Sequence, residues 1–356
     1  MHTDVLICGL GPAGSAAAYS AARNGLQVVA LDKKKVVGVP VQCAEFIPLT
    51  MSAYAHAAPI RVQRVDKMHN YLPSGIHTAT KFSGLMLDRA AFDQALVARA
   101  RTAGAQILTG HHLIKLNSQT KCATVNVAAQ SLDIYYRVLV AADGPVSRIA
   151  HALGMQALNC VHARQYRVPL LQTHAATDIW LERDYRGGYA WLFPKIDTAN
   201  LGLGVGASKR IYAKQMLDLL HARLIDEGRV GAHILARTGG LIPVGGLRPT
   251  LVMNDTLFVG DAAGLTHPIT GAGISSAIIS GERAGEAASE FLQGNSHALE
   301  DYAEDMRDQY AGSFARALQR RKLLEAGGNP ARQDALLRHA WVGFNEYYGE
   351  SNREIE

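Results

Sequence analysis

Three glycines stand close to the amino terminus in Gly9-Leu10-Gly11-Pro12-Ala13-Gly14, at the spacing G-x-G-x-x-G. A turn of this kind can cradle a pyrophosphate. Gly9 permits the tight turn, Gly11 lets backbone approach the phosphates, and Gly14 lets a helix pack closely on a strand. The free N–H groups of the helix that follows then face the phosphates. The flanks fit: an apolar run, Val5 to Cys8, precedes the turn, and a small-residue helix runs from Ala13 to about Asn24, closed by Gly25. A second apolar run, Gln27 to Leu31, ends at Asp32, where a carboxylate can accept hydrogen bonds from an adenosine ribose. The bare spacing is weak evidence, whereas strand, turn, helix, strand and acid in order are strong. They do not separate a nicotinamide from a flavin dinucleotide.

Two later segments make that choice. Val138-Leu139-Val140-Ala141 is a buried-strand pattern that leads to Asp143-Gly144. Leu257-Phe258-Val259 is another, leading to Gly260-Asp261-Ala262-Ala263-Gly264 and on to Thr270-Gly271-Ala272-Gly273. A long small-residue helix follows, from about Ile274 to Leu292. An acid at a strand end beside glycine can accept from polyol hydroxyls, or it can merely cap a turn. The turn at Gly271 and Gly273 can bring backbone N–H groups and a helix N-terminus to the edge of a planar ring, where a reduced flavin carries negative charge. Both acids, in order after the first turn, favour FAD.

On these motifs the chain resembles the FAD-dependent oxidoreductases of the para-hydroxybenzoate hydroxylase type. Leu87-Asp88-Arg89-Ala90-Ala91-Phe92-Asp93 matches as well, and the resemblance implies that Arg89, opening the crossover helix, approaches the cofactor. Two segments are similar to the geranylgeranyl reductases within that group. Pro40-Val41-Gln42-Cys43-Ala44-Glu45 resembles the loop that lies beside their flavin, and Tyr189-Ala190-Trp191-Leu192-Phe193-Pro194 resembles their Y-x-W-x-F-P strand. The implied cofactor set is Gly9, Gly11, Pro12, Ala13, Gly14, Asp32, Lys33, Cys43, Ala44, Arg89, Asp143, Gly144, Gly260, Asp261, Gly271, Ala272 and Gly273.

The implied catalytic residues are Cys43, Glu45, Tyr189 and Trp191. An isolated alkene is a poor hydride acceptor and needs a proton donor opposite the hydride. Cys43 and Glu45 are candidates through the resemblance. Read by themselves, Cys43 is equally a small thiol packing a loop, and Glu45 is more plainly a surface acid or helix cap. Tyr189 and Trp191 alternate with Ala190, so they share a strand face, turned to a cavity or to core. The first expectation is reduction of carbon–carbon double bonds in a prenyl chain of geranylgeranyl type. The second is oxygen activation, hydroxylating or halogenating an aromatic small molecule or a protein side chain.

The elements that must position these residues give an α/β chain. It has a Rossmann-type FAD-binding domain, an inserted antiparallel-sheet substrate domain and a helical C-terminal tail. The expected boundaries are 1–50, 83–155 and 239–295 for the FAD domain, 51–82 and 156–238 for the substrate domain, and 296–356 for the tail. Alternating segments between 160 and 206 read as the sheet, and Arg61 to Phe82 as a hairpin around Pro73-Ser74-Gly75. Gly202 to Gly206 reads as a glycine-rich strand rather than a second nucleotide turn, so electrons come from an external donor, NAD(P)H or a redox protein. In the tail, Leu299, Tyr302, Met306, Tyr310, Phe314 and Leu318 form one apolar stripe. Packing on the flavin domain is its first reading. A peripheral membrane contact is the second, carried by Arg316, Arg320, Arg321 and Lys322.

Composition bounds the rest. The 356 residues are 48% hydrophobic and 19% charged, enough for a large core. The net charge of +5 is mild for this length, and the basic runs are too short to point to nucleic acid. Four cysteines without C-x-x-C spacing suggest neither a zinc site nor a disulfide framework. With no signal-like segment and no long apolar run, the expected location is cytoplasmic, and the expected substrate a small molecule or lipid.

Overall fold

The computed structural model describes residues 1–56, 59–127, 130–326 and 332–349. Residues 57–58 of the expected substrate domain, 128–129 of the FAD domain, and 327–331 and 350–356 of the tail lie outside the described residues.

The first sheet has six strands. They are β1 (Val5–Cys8), β2 (Val28–Asp32), β6 (Gln106–Thr109), β10 (Val138–Ala141), β16 (Val252–Met253) and β17 (Thr256–Phe258). Their order is β16-β17-β10-β1-β2-β6, with β1 paired in parallel to both β2 and β10. Every residue of β1 and β10 is buried, which is why these strands are continuous apolar runs without alternation. Helices α1 (Pro12–Arg23) and α5 (Ile274–Leu292) pack against each other. Contact is so close that a Cβ on Gly281 would lie 2.1 Å from the Ala13 carbonyl oxygen. A three-stranded sheet of β7 (His112–Asn117), β8 (Cys122–Val127) and β9 (Gln130–Tyr135) stands beside the first.

The second large sheet has eight strands in the order β15-β11-β14-β13-β12-β4-β5-β3. These are β3 (Phe46–Pro48), β4 (Arg61–Tyr71), β5 (His77–Leu87), β11 (Cys160–Pro169), β12 (Ala176–Trp180), β13 (Tyr189–Lys195), β14 (Thr198–Val205) and β15 (Ala236–Pro243). Several details differ from the sequence expectation: residues 46–48 and 83–87, expected in the FAD domain, lie in β3 and β5 of this sheet. Residues 239–243, expected in the FAD domain, belong to β15 and pair with β11, because that strand crosses back along the sheet edge before the chain returns to β16. The sheet is also not wholly antiparallel, since β12 runs parallel to β4. Gly202 and Gly204 lie inside β14. Helix α4 (Ala213–Asp226) covers one face, burying Ala213, Leu217, Leu220 and Leu224 against Tyr166, Leu192, Leu201 and Leu203.

The opposite face carries Trp191, Phe193, Met68 and Ile179, covered by the tail helices α6 (Ala298–Ala326) and α7 (Gln333–Ala340). The apolar stripe of α6 divides. Leu299, Tyr302 and Met306 pack on the six-stranded sheet's core, while Ala317 and Leu324 continue onto the eight-stranded sheet. Arg320 and Arg321, expected as surface cations, are each 5% exposed. Arg321 donates to the carbonyls of Pro268 and Gly187, and Arg320 to that of Gly349. Among the described residues, no helix is long and apolar enough to cross a membrane.

The parallel junction of β12 with β4 is fastened by a buried carboxylate. Asp178 accepts from Nδ1 of His69 on β4 at 3.0 Å, lies 3.0 Å from Nε2 of His174, and pairs with the Arg229 guanidinium beyond α4. Two imidazoles and a carboxylate resemble a metal set, but the cation the carboxylate already holds is Arg229. Burial pushes the Asp178 carboxyl up, yet His174, His69 and Arg229 together outweigh it and hold it down to about 2. A carboxyl lowered on folding stabilises above its unfolded value near 4, and that contribution is lost as pH falls through about 2. Stability measured by urea unfolding should therefore decline between about pH 4 and pH 2. Asp178→Asn, which leaves Arg229 only the more distant Glu227 carboxylate at 3.7 Å, should cost about 3 kcal/mol at neutral pH and remove that part of the decline. An unchanged acid limb in the variant would show that Asp178 is not the group responsible.

Candidate active site

The first βα turn sits at the carboxyl ends of β1, β2 and β10, where a doubly wound sheet receives its ligand. Its glycines differ in what surrounds them. A Cβ on Gly14 would lie 1.8 Å from the Gly9 carbonyl oxygen, so backbone packing alone excludes a side chain there. A Cβ on Gly11 would meet nothing within 4 Å. Packing within the protein therefore does not account for Gly11. Pro12 and Ala13 open α1 behind it, with Gly11 at the N-cap.

Asp32 spans the turn. Its Oδ2 accepts from Leu10 N at 2.9 Å and its Oδ1 from Lys34 N at 2.8 Å. Each oxygen keeps a lone pair for a ribose hydroxyl. Lys33, beside it, is exposed. Asp143 leaves Oδ1 buried without a partner while Oδ2 accepts from Ile149 N at 3.2 Å, and burial pushes its carboxyl up. An orphaned buried acceptor next to Gly144 lacks a donor that the protein does not supply. Asp261 follows Gly260 in a short 3-10 turn and accepts from Thr266 Oγ1 at 2.6 Å, and burial raises its carboxyl too. Gly271 adopts φ +67°, and Gly273 caps α5. His267 shapes this turn by accepting at Nδ1 from Ile269 N and Thr270 N, both at 3.3 Å. Burial lowers it to about 4, which keeps that lone pair free.

The loop after β2 is stitched to the eight-stranded sheet residue by residue. Thr238 Oγ1 donates to the Val41 carbonyl, Gln42 Nε2 to the Gly239 carbonyl, Gln165 Nε2 to the Cys43 carbonyl and Asn200 Nδ2 to the Ala44 carbonyl. Glu45 ends the run. Its side chain is fully buried, where the sequence suggested a surface acid or simple cap. Oε2 accepts from Lys195 Nζ at 2.8 Å, Arg167 Nη2 at 3.0 Å and Asn200 Nδ2 at 2.7 Å. Oε1 accepts from Arg89 N at 2.9 Å, so Glu45 does hold the start of α2 (Arg89–Thr102), but from inside. Its own φ is +71°.

Arg89, read alone as an exposed helix-start residue, lies inside this site, donating Nε to Asp93 at 2.7 Å with its guanidinium beside Cys43. Tyr189 and Trp191 share a face, with ring centroids 5.7 Å apart. Trp191 is a core residue, 5% exposed and packed on Gly202. Its indole N–H donates to Gln165 Oε1 at 3.1 Å, which turns the Gln165 amide toward Cys43. Tyr189 donates its hydroxyl to the Thr270 carbonyl in the Gly271 turn. Sequence reasoning missed Gln165, Arg167, Lys195 and Asn200. Gln165 and Arg167 do alternate with Tyr166 and Val168, which marks a polar strand face without saying what it meets.

A glycine turn open at one position, three acids at strand ends and a sheet closing over them define an FAD-dependent oxidoreductase. Residues 4–143 match the family model described as FAD dependent oxidoreductase. The chain is 31% identical over 338 residues to the digeranylgeranylglycerophospholipid reductase of Methanocaldococcus jannaschii, covering 90% of this chain and 86% of that one. The geranylgeranyl bacteriochlorophyll reductase-like protein of Thermoplasma acidophilum superposes with a TM-score of 0.87 at 25% identity, covering 95% of this chain and 91% of that one. A flavin-dependent brominase shares the fold, with a TM-score of 0.72 at 18% identity, covering 95% and 94% of the two chains. The chain belongs to the geranylgeranyl reductase family of FAD-dependent oxidoreductases.

The glycine contrast is directly testable. Gly11→Val should abolish FAD binding while leaving a cooperative thermal transition close to that of the wild-type apoprotein, because its side chain enters open space. Gly14→Val should instead prevent folding, since it meets backbone. Retention of FAD by Gly11→Val would remove the pyrophosphate from this turn.

Proposed function

We propose that the chain reduces carbon–carbon double bonds of a prenyl chain, of geranylgeranyl type, on a lipid. Bound FAD, once reduced by an external donor such as NAD(P)H or a redox protein, supplies the hydride. The observation that carries the reading is the division of labour in the Cys43 loop. Glu45 is committed to donors from four other residues, which leaves Cys43 as the loop's uncharged proton source. The wall beside it is apolar: Phe46 stacks on Phe82 at 4.9 Å and meets Phe193 edge-on at 6.1 Å.

In this reading Gly11, Asp32, Asp143 and Asp261 hold the dinucleotide, joined by Gly9, Pro12, Ala13, Gly14, Lys33, Gly144 and Gly260. The Gly271-Ala272-Gly273 turn, with Ala44, bounds the ring. Tyr189 and the Phe46–Phe82–Phe193 group exclude water and orient the alkene. Cys43 gives its thiol proton to one alkene carbon as hydride reaches the other, so the double bond becomes a single bond. The Arg89 guanidinium beside the sulfur compensates the charge left behind, and a solvent proton restores the thiol. Trp191 and Glu45 act through Gln165 and the loop backbone as positioning residues.

The test is single turnover without oxygen. Protein with chemically reduced FAD, mixed with a digeranylgeranyl lipid, should regain the oxidised-flavin spectrum as the lipid gains two hydrogens per double bond. Fast reoxidation by air together with none by lipid would favour hydroxylation or halogenation instead. Cys43→Ser should lower lipid turnover by about 10²-fold or more, the size of a lost general acid, with flavin content unchanged. Full turnover in that variant would leave Cys43 a packing residue.

A further inference from the structure

With Arg320 and Arg321 buried, the tail keeps only Arg316 and Lys322 of its four cations on the surface. After β14 the chain makes a 3-10 turn, Ala207–Tyr212, in which no residue is buried, and then enters α4. Ile211 is 71% exposed and Tyr212 47%, while Leu219, two turns along α4, is 65% exposed. Tyr212 and Leu219, seven residues apart, share one helix face and form an outward stripe flanking the buried Leu217, Leu220 and Leu224, while Met216 between them is half-buried on that core. Exposed cations surround it: Arg210, Lys214 and Arg186, with Lys209 over the Tyr212 ring at 5.8 Å. Asp218, the acid within the patch, is engaged by Lys214 and by the Tyr166 hydroxyl.

We propose that this turn and stripe dock the protein on an anionic lipid bilayer. The purpose of the contact rests on the lipid-reductase reading above; its detection does not. Apolar side chains rimmed by Lys and Arg, with an aromatic residue between, match the boundary between acyl chains and anionic headgroups. A second copy of this chain fits badly, because a two-fold contact would bring the cations against themselves. A large partner protein fits badly too, since three projecting side chains expose far less than the roughly 800 Å² per partner of a stable interface. The foot of the turn is tied by backbone to the segment that leads into β13. Gly206 N, at the foot of the turn, donates to the Arg186 carbonyl at 3.1 Å, three residues before Tyr189, and Gly187 packs on Arg321 and Glu325 of α6.

The experiment is co-sedimentation of the full FAD-loaded chain with phosphatidylcholine vesicles, with and without phosphatidylglycerol. Binding should require the anionic lipid and weaken with salt. It should fall about 10-fold or more in Ile211→Ser/Leu219→Ser and in Lys209→Glu/Arg210→Glu. Turnover of detergent-dispersed lipid should be unchanged in both, so a failure of the proposed chemistry appears in that assay and a failure of docking only with vesicles. The proposal is overturned if wild-type protein ignores anionic vesicles or if both variants bind as well as wild type. It is equally overturned if the substitutions change the sedimentation coefficient of the protein alone, which would make the patch a protein interface.

Discussion

The geometry of the site depends on one buried carboxylate. Glu45 stands where the loop after β2 meets the start of α2 and three strands of the second sheet. A lone buried charge there would cost several kcal/mol, so the arrangement persists only because its donors are all in place. Lys195 and Arg167 supply charge, Asn200 supplies a neutral donor, and Arg89 supplies a backbone N–H. The same network holds Glu45 at φ +71°, a conformation that costs a non-glycine residue on the order of 1–3 kcal/mol. Strain of this kind survives where surrounding contacts over-determine the backbone. Here it turns the chain between Cys43, beside the Arg89 guanidinium, and Phe46, which opens β3.

From that point the two sheets act as one frame. The six-stranded sheet presents strand ends and an open glycine turn, as a dinucleotide needs. The eight-stranded sheet presents a face whose polar residues hold a loop and whose apolar residues pack beneath the tail helices. The relay from Trp191 through Gln165 to the Cys43 carbonyl joins these roles. It gives a buried indole a consequence at the site without direct contact with substrate. The tail helices complete the enclosure from the far side, where Trp341 is 1% exposed and donates to Asn70 of β4.

The dinucleotide half was legible in the sequence because its signals are local. Turn, helix and acid lie within 24 residues of one another, from Gly9 to Asp32, and the apolar runs around them have no other good reading. Helix α5 begins and ends where its small-residue pattern does. The Glu45 network was not legible, because Lys195 lies 150 residues further along the chain and no spacing links the two. Glu45 taken alone looks like an ordinary polar residue after a loop. The cations of α6 misled for a related reason: local pattern cannot distinguish an arginine facing water from one that clamps carbonyls of another segment. The expected FAD-domain boundary at 239 cuts through β15, because no local signal in residues 236–243 says which sheet they join.

The central claim is that the Glu45 carboxylate, rather than the flavin alone, fixes the Cys43 loop. Amide hydrogen exchange by mass spectrometry on FAD-loaded wild type and Glu45→Gln tests it most directly. A neutral amide beside Lys195 and Arg167 should weaken the loop by about 3 kcal/mol, so amides of residues 41–46 should exchange roughly 10²-fold faster. Those of β1 and α1 should keep their protection. Equal protection of residues 41–46 in the two proteins would contradict the account and leave the cofactor as what holds the loop.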